Sequence, residues 1–188
     1  MRVCMITDFF YPSMGGVENH VHQLSQCLLL QGHKVIVVTH RYGQRCGVRW
    51  LANGLKVYYL PFCSVQDRVV LPSGLVLLPL LRDVLIRERI TMVHAHAVCT
   101  IALEAVTLCS LMGYRVVYTE HSNFGMSSGS DISLNALERF VLGMADTAAG
   151  LGGRVWPEML TISQCRVGLP MKAGQKHSGD FVSAFRRW

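Results

Sequence analysis

Val3-Cys4-Met5-Ile6-Thr7-Asp8-Phe9-Phe10-Tyr11-Pro12-Ser13-Met14-Gly15-Gly16-Val17-Glu18 is the stretch that decides the fold. Its first four residues are an apolar run of the length and character of a buried parallel strand. After the glycines, Val17, Val21, Leu24 and Leu28 recur at helical spacing, with Glu18, Asn19, His22, Gln23 and Gln26 on the other faces. Gly32 suits the helix C-terminus, and Val35-Ile36-Val37-Val38-Thr39 reads as a second strand. The first forty residues therefore form a βαβ unit. A strand that passes through Gly15-Gly16 into a helix leaves unpaired backbone N–H groups and a positive dipole end at one spot. Such a spot favours phosphate, and glycine lets a ligand approach the backbone closely. The pattern is neither of the familiar nucleotide loops. G-x-G-x-x-G needs further spaced glycines, and no Gly-Lys-Ser/Thr follows for a Walker loop.

Outward from this unit, strand and helix patterns keep alternating. Val48–Ala52 and Leu55–Tyr59 read as a hairpin around Asn53-Gly54, a pair that accepts positive φ, and Pro61 is expected to end it. Ser73 is expected to cap a helix over 74–88, in which Pro79 either makes a kink or marks the true first turn. Met92–Ala97 fits another buried strand, Ile101–Met112 a helix closed by Gly113, and Arg115–Thr119 a strand running into Glu120-His121-Ser122. A last helical pattern covers 134–144. The fold class is thus α/β, a doubly wound, mostly parallel Rossmann-like sheet. Ligands of such sheets bind beyond the carboxyl ends of the strands. Three polar clusters fall there: Asp8 to Glu18, His94 with His96, and Glu120-His121-Ser122. Residues 1–147 are read as this domain. From 148 to 188 scattered glycines and prolines break the pattern, and a poorly ordered, atypical tail is expected.

Composition narrows the function. The 188 residues are 51% hydrophobic and 16% charged, apolar enough for a core and too apolar for disorder. A net charge of +6 suits anionic partners such as nucleotide phosphates or lipid headgroups. No Lys/Arg run or aromatic-basic interleaving points to nucleic acid. Seven cysteines without a C-x-x-C pair give no zinc or redox motif, and they read as small buried hydrophobes in a reducing compartment. The start of the chain is not a signal-peptide pattern. No run reaches the roughly 18 apolar residues of a membrane span, since Val69–Leu81 is broken by Pro72 and Pro79. Leu75–Ile86, with Arg82, Arg87 and Arg89, fits either a buried core helix or one lying on a membrane surface.

The segments MRVCMITDFFYPSMGGVENHVHQLSQCLLLQGHKVIVVTH, MVHAHAVCT and VVYTEHSNFG resemble the N-terminal half of GT-B-fold, retaining glycosyltransferases. Within these, the resemblance is to the family that moves N-acetylglucosamine from UDP-N-acetylglucosamine to phosphatidylinositol, the first step of GPI-anchor biosynthesis. It covers about residues 1–147. It implies an acceptor-side domain at the cytoplasmic face of the endoplasmic reticulum membrane, working beside other subunits of a transferase complex. It implies no cofactor and no metal. The family's donor-binding second domain is missing from the pattern here, and a frameshifted or alternatively spliced product would have this texture. The chain alone is expected to be inactive.

Strand-end placement and resemblance together assign His121 to the reacting centre, where a neutral imidazole both donates and accepts hydrogen bonds at a sugar hydroxyl. The other reading of His121 is a strand-end histidine bonded to backbone. Gly15, Gly16, Glu120 and Ser122 are assigned to the donor phosphates and sugar, and Asp8, Tyr11, Glu18, His20, His94 and His96 to the acceptor side. Glu18 has a second reading as an electrostatic partner of the helix N-terminus, and Asp8 as an orienter of the loop through backbone amides. Phe9, Phe10 and Tyr11 either line a pocket or pack its rim. His94 and His96 are expected to point to opposite faces of their strand, which would keep them from sharing a metal ion. The competing function is a non-catalytic module that binds phosphatidylinositol membranes or partner subunits. A nucleotide-dependent oxidoreductase fails for lack of G-x-G-x-x-G and of an acidic residue after the second strand.

Overall fold

The computed structural model describes residues 1–63, 76–97, 100–119 and 121. The expectations for the Ser73 cap, the 134–144 helix, the 148–188 tail, and Glu120 and Ser122 lie outside these residues. Six strands form one sheet: β1 (Arg2–Thr7), β2 (Lys34–Arg41), β3 (Gly47–Trp50), β4 (Lys56–Cys63), β5 (Met92–His96) and β6 (Arg115–Thr119). Three helices connect them: α1 (Gly16–Leu30), α2 (Leu77–Arg87) and α3 (Thr100–Leu111). The order across the sheet is β3-β4-β2-β1-β5-β6, parallel throughout except for the antiparallel edge strand β3. The chain winds from β1 to β2 in one direction and from β5 to β6 in the other. Its reversal point therefore lies between β1 and β5, where such sheets hold ligands.

Both faces of the sheet are covered, which is why its central strands read as continuous apolar runs. Val3, Met5, Val35, Val37, Val57 and Met92 pack with Phe10 and with Val21, Leu24 and Leu28 of α1. Cys4, Ile6, Ile36, Val38, Val93 and Ala95 face the other way, against Leu77, Leu81 and Leu85 of α2 and Ile101, Ala105 and Cys109 of α3. The apolar stretch around α2 is therefore a core helix, with only Val76 and Ile86 among its large apolar side chains well exposed. Pro79 falls in its first turn, where a missing N–H costs nothing. Among the described residues no helix is long and apolar enough to cross a membrane.

All three helices end alike, with the chain turning through positive φ at the residue after the cap. Gly32 (φ 80) donates to the Leu29 carbonyl and His33 to that of Leu28, and Gly113 (φ 79) repeats the pattern on Ser110 with Tyr114 on Cys109. At the end of α2 the same position holds Arg89 (φ 51), an arginine where glycine is the unstrained residue. The hairpin of β3 and β4 forms as its turn chemistry suggests, with positive φ at Asn53 (56) and Gly54 (75). Pro61, however, does not end β4. The strand continues to Cys63, and pairing jumps from His40 opposite Leu60 to Arg41 opposite Cys63. Proline lacks a ladder donor, so Pro61 sits in this bulge, the place in a sheet that tolerates it.

At the amino ends of the strands Glu88 is a buried hub. Its carboxylate accepts from the ammonium groups of Lys34 and Lys56 and from the Tyr58 hydroxyl, while its carbonyl accepts from Arg2. Burial works to raise its pKa, but these donors overcome it and hold the carboxyl down to about 2. This end of the sheet is tied together and carries none of the site residues.

Candidate functional site at the carboxyl ends of the strands

The loop after β1 is anchored before it reaches the glycines. The Asp8 carbonyl accepts from the Thr39 hydroxyl at 2.9 Å and from the His40 imidazole, both at the end of β2. The Phe10 N–H donates to the Tyr42 hydroxyl at 2.7 Å, and the Tyr59 hydroxyl donates to the Tyr11 carbonyl at 2.7 Å. Phe10 is wholly buried in the α1-side core, so it packs and does not line a pocket. The Tyr11 ring stands edge-on to Phe10 and to His22, 5.1 Å from each.

Asp8 itself turns away from this loop. Strand parity puts Cys4, Ile6 and Asp8 on the face that α2 and α3 cover. The Asp8 side chain accepts from the Ala102 N–H at 3.1 Å, in the first turn of α3. The carboxyl is 2% exposed, and burial raises its pKa to about 7 against the pull of the α3 amides. Asp8 thus caps α3 from 94 residues away in sequence, and its carboxyl orients that helix, not the glycine loop expected from the sequence.

The two glycines differ. Gly15 is the extended N-cap of α1, and its carbonyl accepts from the Asn19 N–H at 3.1 Å. Glu18 folds back over it: a Cβ on Gly15 would collide with Oε2 of Glu18, whose Oε1 accepts from the Ser13 hydroxyl at 3.2 Å. The buried Glu18 carboxylate therefore lies at the positive end of α1, where the dipole favours a negative charge. A Cβ on Gly16 would meet nothing within 4 Å. The open face of the glycine pair is the Gly16 side, while the Gly15 side is filled from within the protein.

Four histidines gather next to this helix start. Thr7, His96 and Thr119 lie level across β1, β5 and β6, so His96 stands at the strand ends and His121 two residues beyond. His20 lies one turn along α1 from Gly16 and on the same side of the helix. The His20 and His121 rings are 4.9 Å apart, edge to face, and His96 and His121 are stacked at 5.5 Å with Nδ1 and Nε2 separated by 3.2 Å. The expectation that His94 and His96 point to opposite faces is wrong. Side chains two apart on a strand share a face, and these two rings lie 4.0 Å apart. His94 Nε2 pairs with the Thr119 hydroxyl at 2.8 Å. His96 is fully buried, and its Nε2 has no hydrogen-bond partner among the described residues. Burial first, and the mutual repulsion of the charged rings second, lower the pKa of His94 to about 3 and of His121 to about 4. His96 and His20 are lowered as well, chiefly by burial. At neutral pH these imidazoles are uncharged and serve as both donors and acceptors.

Of the residues read from the sequence as a site, Gly16, His20, His96 and His121 come together at the reversal point, with His94 behind them. Glu18 and Gly15 form the adjoining helix start, Tyr11 lies in the loop beside it, and Asp8 faces α3. The anchors Thr39, His40 and Tyr42, and the His94 partner Thr119, are not marked by any motif. Their positions at strand ends are the available signal.

Residues 40–128 match the family model of PIGA, described as GPI anchor biosynthesis. Over these residues the chain is similar to the PIGA family. The PIGA-family match takes in His94, His96 and His121, while Gly16 and His20 precede it. Over 149 residues the chain is 47% identical to a phosphatidylinositol N-acetylglucosaminyltransferase subunit of Arabidopsis thaliana, covering 79% of this chain and 33% of that one. It is 47% identical over 137 residues to the Homo sapiens protein of the same name, covering 72% and 28%. The chain therefore spans about a third of the length of the curated relatives it matches. Among solved structures it resembles the sucrose-phosphate synthase of Thermosynechococcus elongatus with a TM-score of 0.58 at 12% identity, over 77% of this chain and 39% of that one. That likeness shows the fold, a Rossmann-like half of the GT-B type.

Proposed function

We propose that this chain forms the acceptor-side half of a retaining glycosyltransferase site that moves N-acetylglucosamine from its UDP donor to phosphatidylinositol. The observation that carries the reading is the convergence of the open Gly16 end of α1 with His121, His96 and His20 at the point where the sheet reverses. The relatives named as N-acetylglucosaminyltransferase subunits supply the reaction class. In this reading the amides around Gly16 meet the donor phosphates, and the donor-side assignment from the sequence extends to Glu120 and Ser122. Glu18 holds the loop by way of Ser13 and keeps Gly15 closed to the ligand. His121, uncharged at neutral pH, hydrogen-bonds a hydroxyl of the sugar being transferred. His20, His94, His96 and Tyr11 shape the acceptor side, and Asp8 acts at a distance by fixing α3. The site works at the cytoplasmic face of the endoplasmic reticulum membrane with partner subunits. It also needs donor-binding residues beyond the third of the relatives' length that this chain spans.

The test places Gly16→Trp and His121→Ala in a protein of the relatives' full length carrying this sequence. Transfer of labelled N-acetylglucosamine to phosphatidylinositol is then measured in membranes. Both variants are expected to lose most of the activity, roughly 100-fold or more, if the indole blocks the phosphates and the imidazole is spent in the transition state. Near-normal turnover in either variant removes that residue from the site. A second reading, a non-catalytic module that binds membranes or partner subunits, is suited by the net charge of +6, which favours anionic lipid headgroups. Sedimentation of this chain with phosphatidylinositol vesicles, without sugar transfer, supports it.

A further inference from the structure

We propose that His20, His96 and His121 form a binding site for a transition-metal dication of the zinc class, a site separate in kind from the sugar-transfer chemistry. One ligating atom from each lies within 4.8 Å of the others. The His96 Nδ1 and His121 Nε2 pair is 3.2 Å apart. Two nitrogens on a tetrahedral zinc with bonds of about 2.0–2.1 Å stand roughly 3.4 Å from each other, so this pair already has the spacing of co-ligands. The third imidazole comes from α1, an element that approaches the two strand ends from the side. Its side chain needs to close by at most about 1.4 Å for the same bond length. Three imidazoles without thiolate or carboxylate select zinc, copper, nickel or cobalt over magnesium and calcium. They also leave a fourth position open to water or a ligand.

The three imidazoles come from three different elements of the fold. His96 ends β5 with no exposed surface, and the half-buried His121 lies two residues beyond the end of β6. His20 stands on the second turn of α1, its ring 5.8 Å from that of His96 and 4.9 Å from that of His121. The ion would therefore bind where two strand-end imidazoles meet a third from the helix. In the metal-free protein the strand-end pair shares a hydrogen bond, one imidazole donating to the other. Bound metal would take up His121 Nε2, which pairs with His96 in its absence, so its effect on any transfer reaction that uses this imidazole is to compete. The metal site itself does not depend on that reaction.

The probe is cobalt(II) added to the 188-residue chain and followed by visible absorption, with zinc(II) competition as the second measurement. One equivalent of cobalt is expected to give the intense d–d bands of a four- or five-coordinate ion, with no thiolate charge-transfer band in the near ultraviolet, and zinc should abolish them. His20→Ala keeps the helix and should weaken binding by about 10-fold or more, whereas His22→Ala, on the same helix outside the cluster, should leave it unchanged. Zinc should also raise the melting temperature of the chain but not that of His20→Ala. No d–d bands with cobalt in large excess, undiminished binding in His20→Ala, or a thiolate band showing cysteine ligands would each overturn the site.

Discussion

Asp8→Asn separates the capping role of this carboxyl from the cost of burying it. In the folded chain burial raises the Asp8 pKa from 3.8 to about 7, although α3 amides favour the anion. The sign follows from proton counts. Between about pH 4 and 7 the folded state holds a proton that the unfolded state has released, so stability falls as pH rises through this window. A shift of about three units amounts to about 4 kcal/mol across the window, of which roughly 2–3 kcal/mol lies between pH 5 and pH 8. The histidines act in the opposite direction. His94 and His121, lowered to about 3 and 4, add stability as pH rises toward their ordinary value. Their contribution is common to both proteins and cancels in the difference. Asparagine keeps an oxygen to accept from the Ala102 N–H and carries no charge to desolvate. The assay is urea unfolding of both chains, followed by far-ultraviolet circular dichroism, at pH 5 and pH 8. Asp8→Asn should be close to the parent at pH 5 and gain about 2–3 kcal/mol on it by pH 8. Parallel pH profiles would refute the reasoning, because they would mean that the α3 amides hold the anion as well as water does.

Three further expectations follow from named contacts. Glu88→Gln should cost about 1–3 kcal/mol at pH 6, and the gap should close as pH falls from about 4.5 toward 2, since the depressed carboxyl loses its advantage there; an equal gap at pH 2.5, measured by urea unfolding, would exclude the Lys34 and Lys56 pairs as its source. Arg89→Gly should raise stability by about 0.5–1 kcal/mol, because glycine takes the positive φ after α2 without strain, and thermal unfolding with an unchanged or lower midpoint would count against it. Phe10→Ala should cost about 3–5 kcal/mol, as for other buried aromatics, whereas a loss under about 1 kcal/mol would return Phe10 to the pocket rim.

Much of this protein is legible in the chain itself, because backbone periodicity and turn chemistry are local. The apolar run before Asp8, the spacing of Val17 to Leu28, and the glycines at 32 and 113 each state their element without reference to the rest. Their alternation is enough to specify a parallel α/β sheet with ligand-bearing loops at the strand ends. Parity is legible too, and applied correctly it puts His94 and His96 on one face, because the side-chain period of a strand is two. What no local pattern contains is which strand ends become neighbours. Only the crossover that carries β5 to the far side of β1 puts His96 beside the loop of Gly16. Only the packing of α3 on the Cys4–Ile6 face turns Asp8 into its cap. The strand order likewise gathers Lys34, Lys56 and Tyr58 on Glu88, and it brings His20 of a helix to His121 at the end of a strand. Those contacts join residues 30 to about 100 positions apart, and burial of apolar surface on two sheet faces, not any sequence signal, decides them.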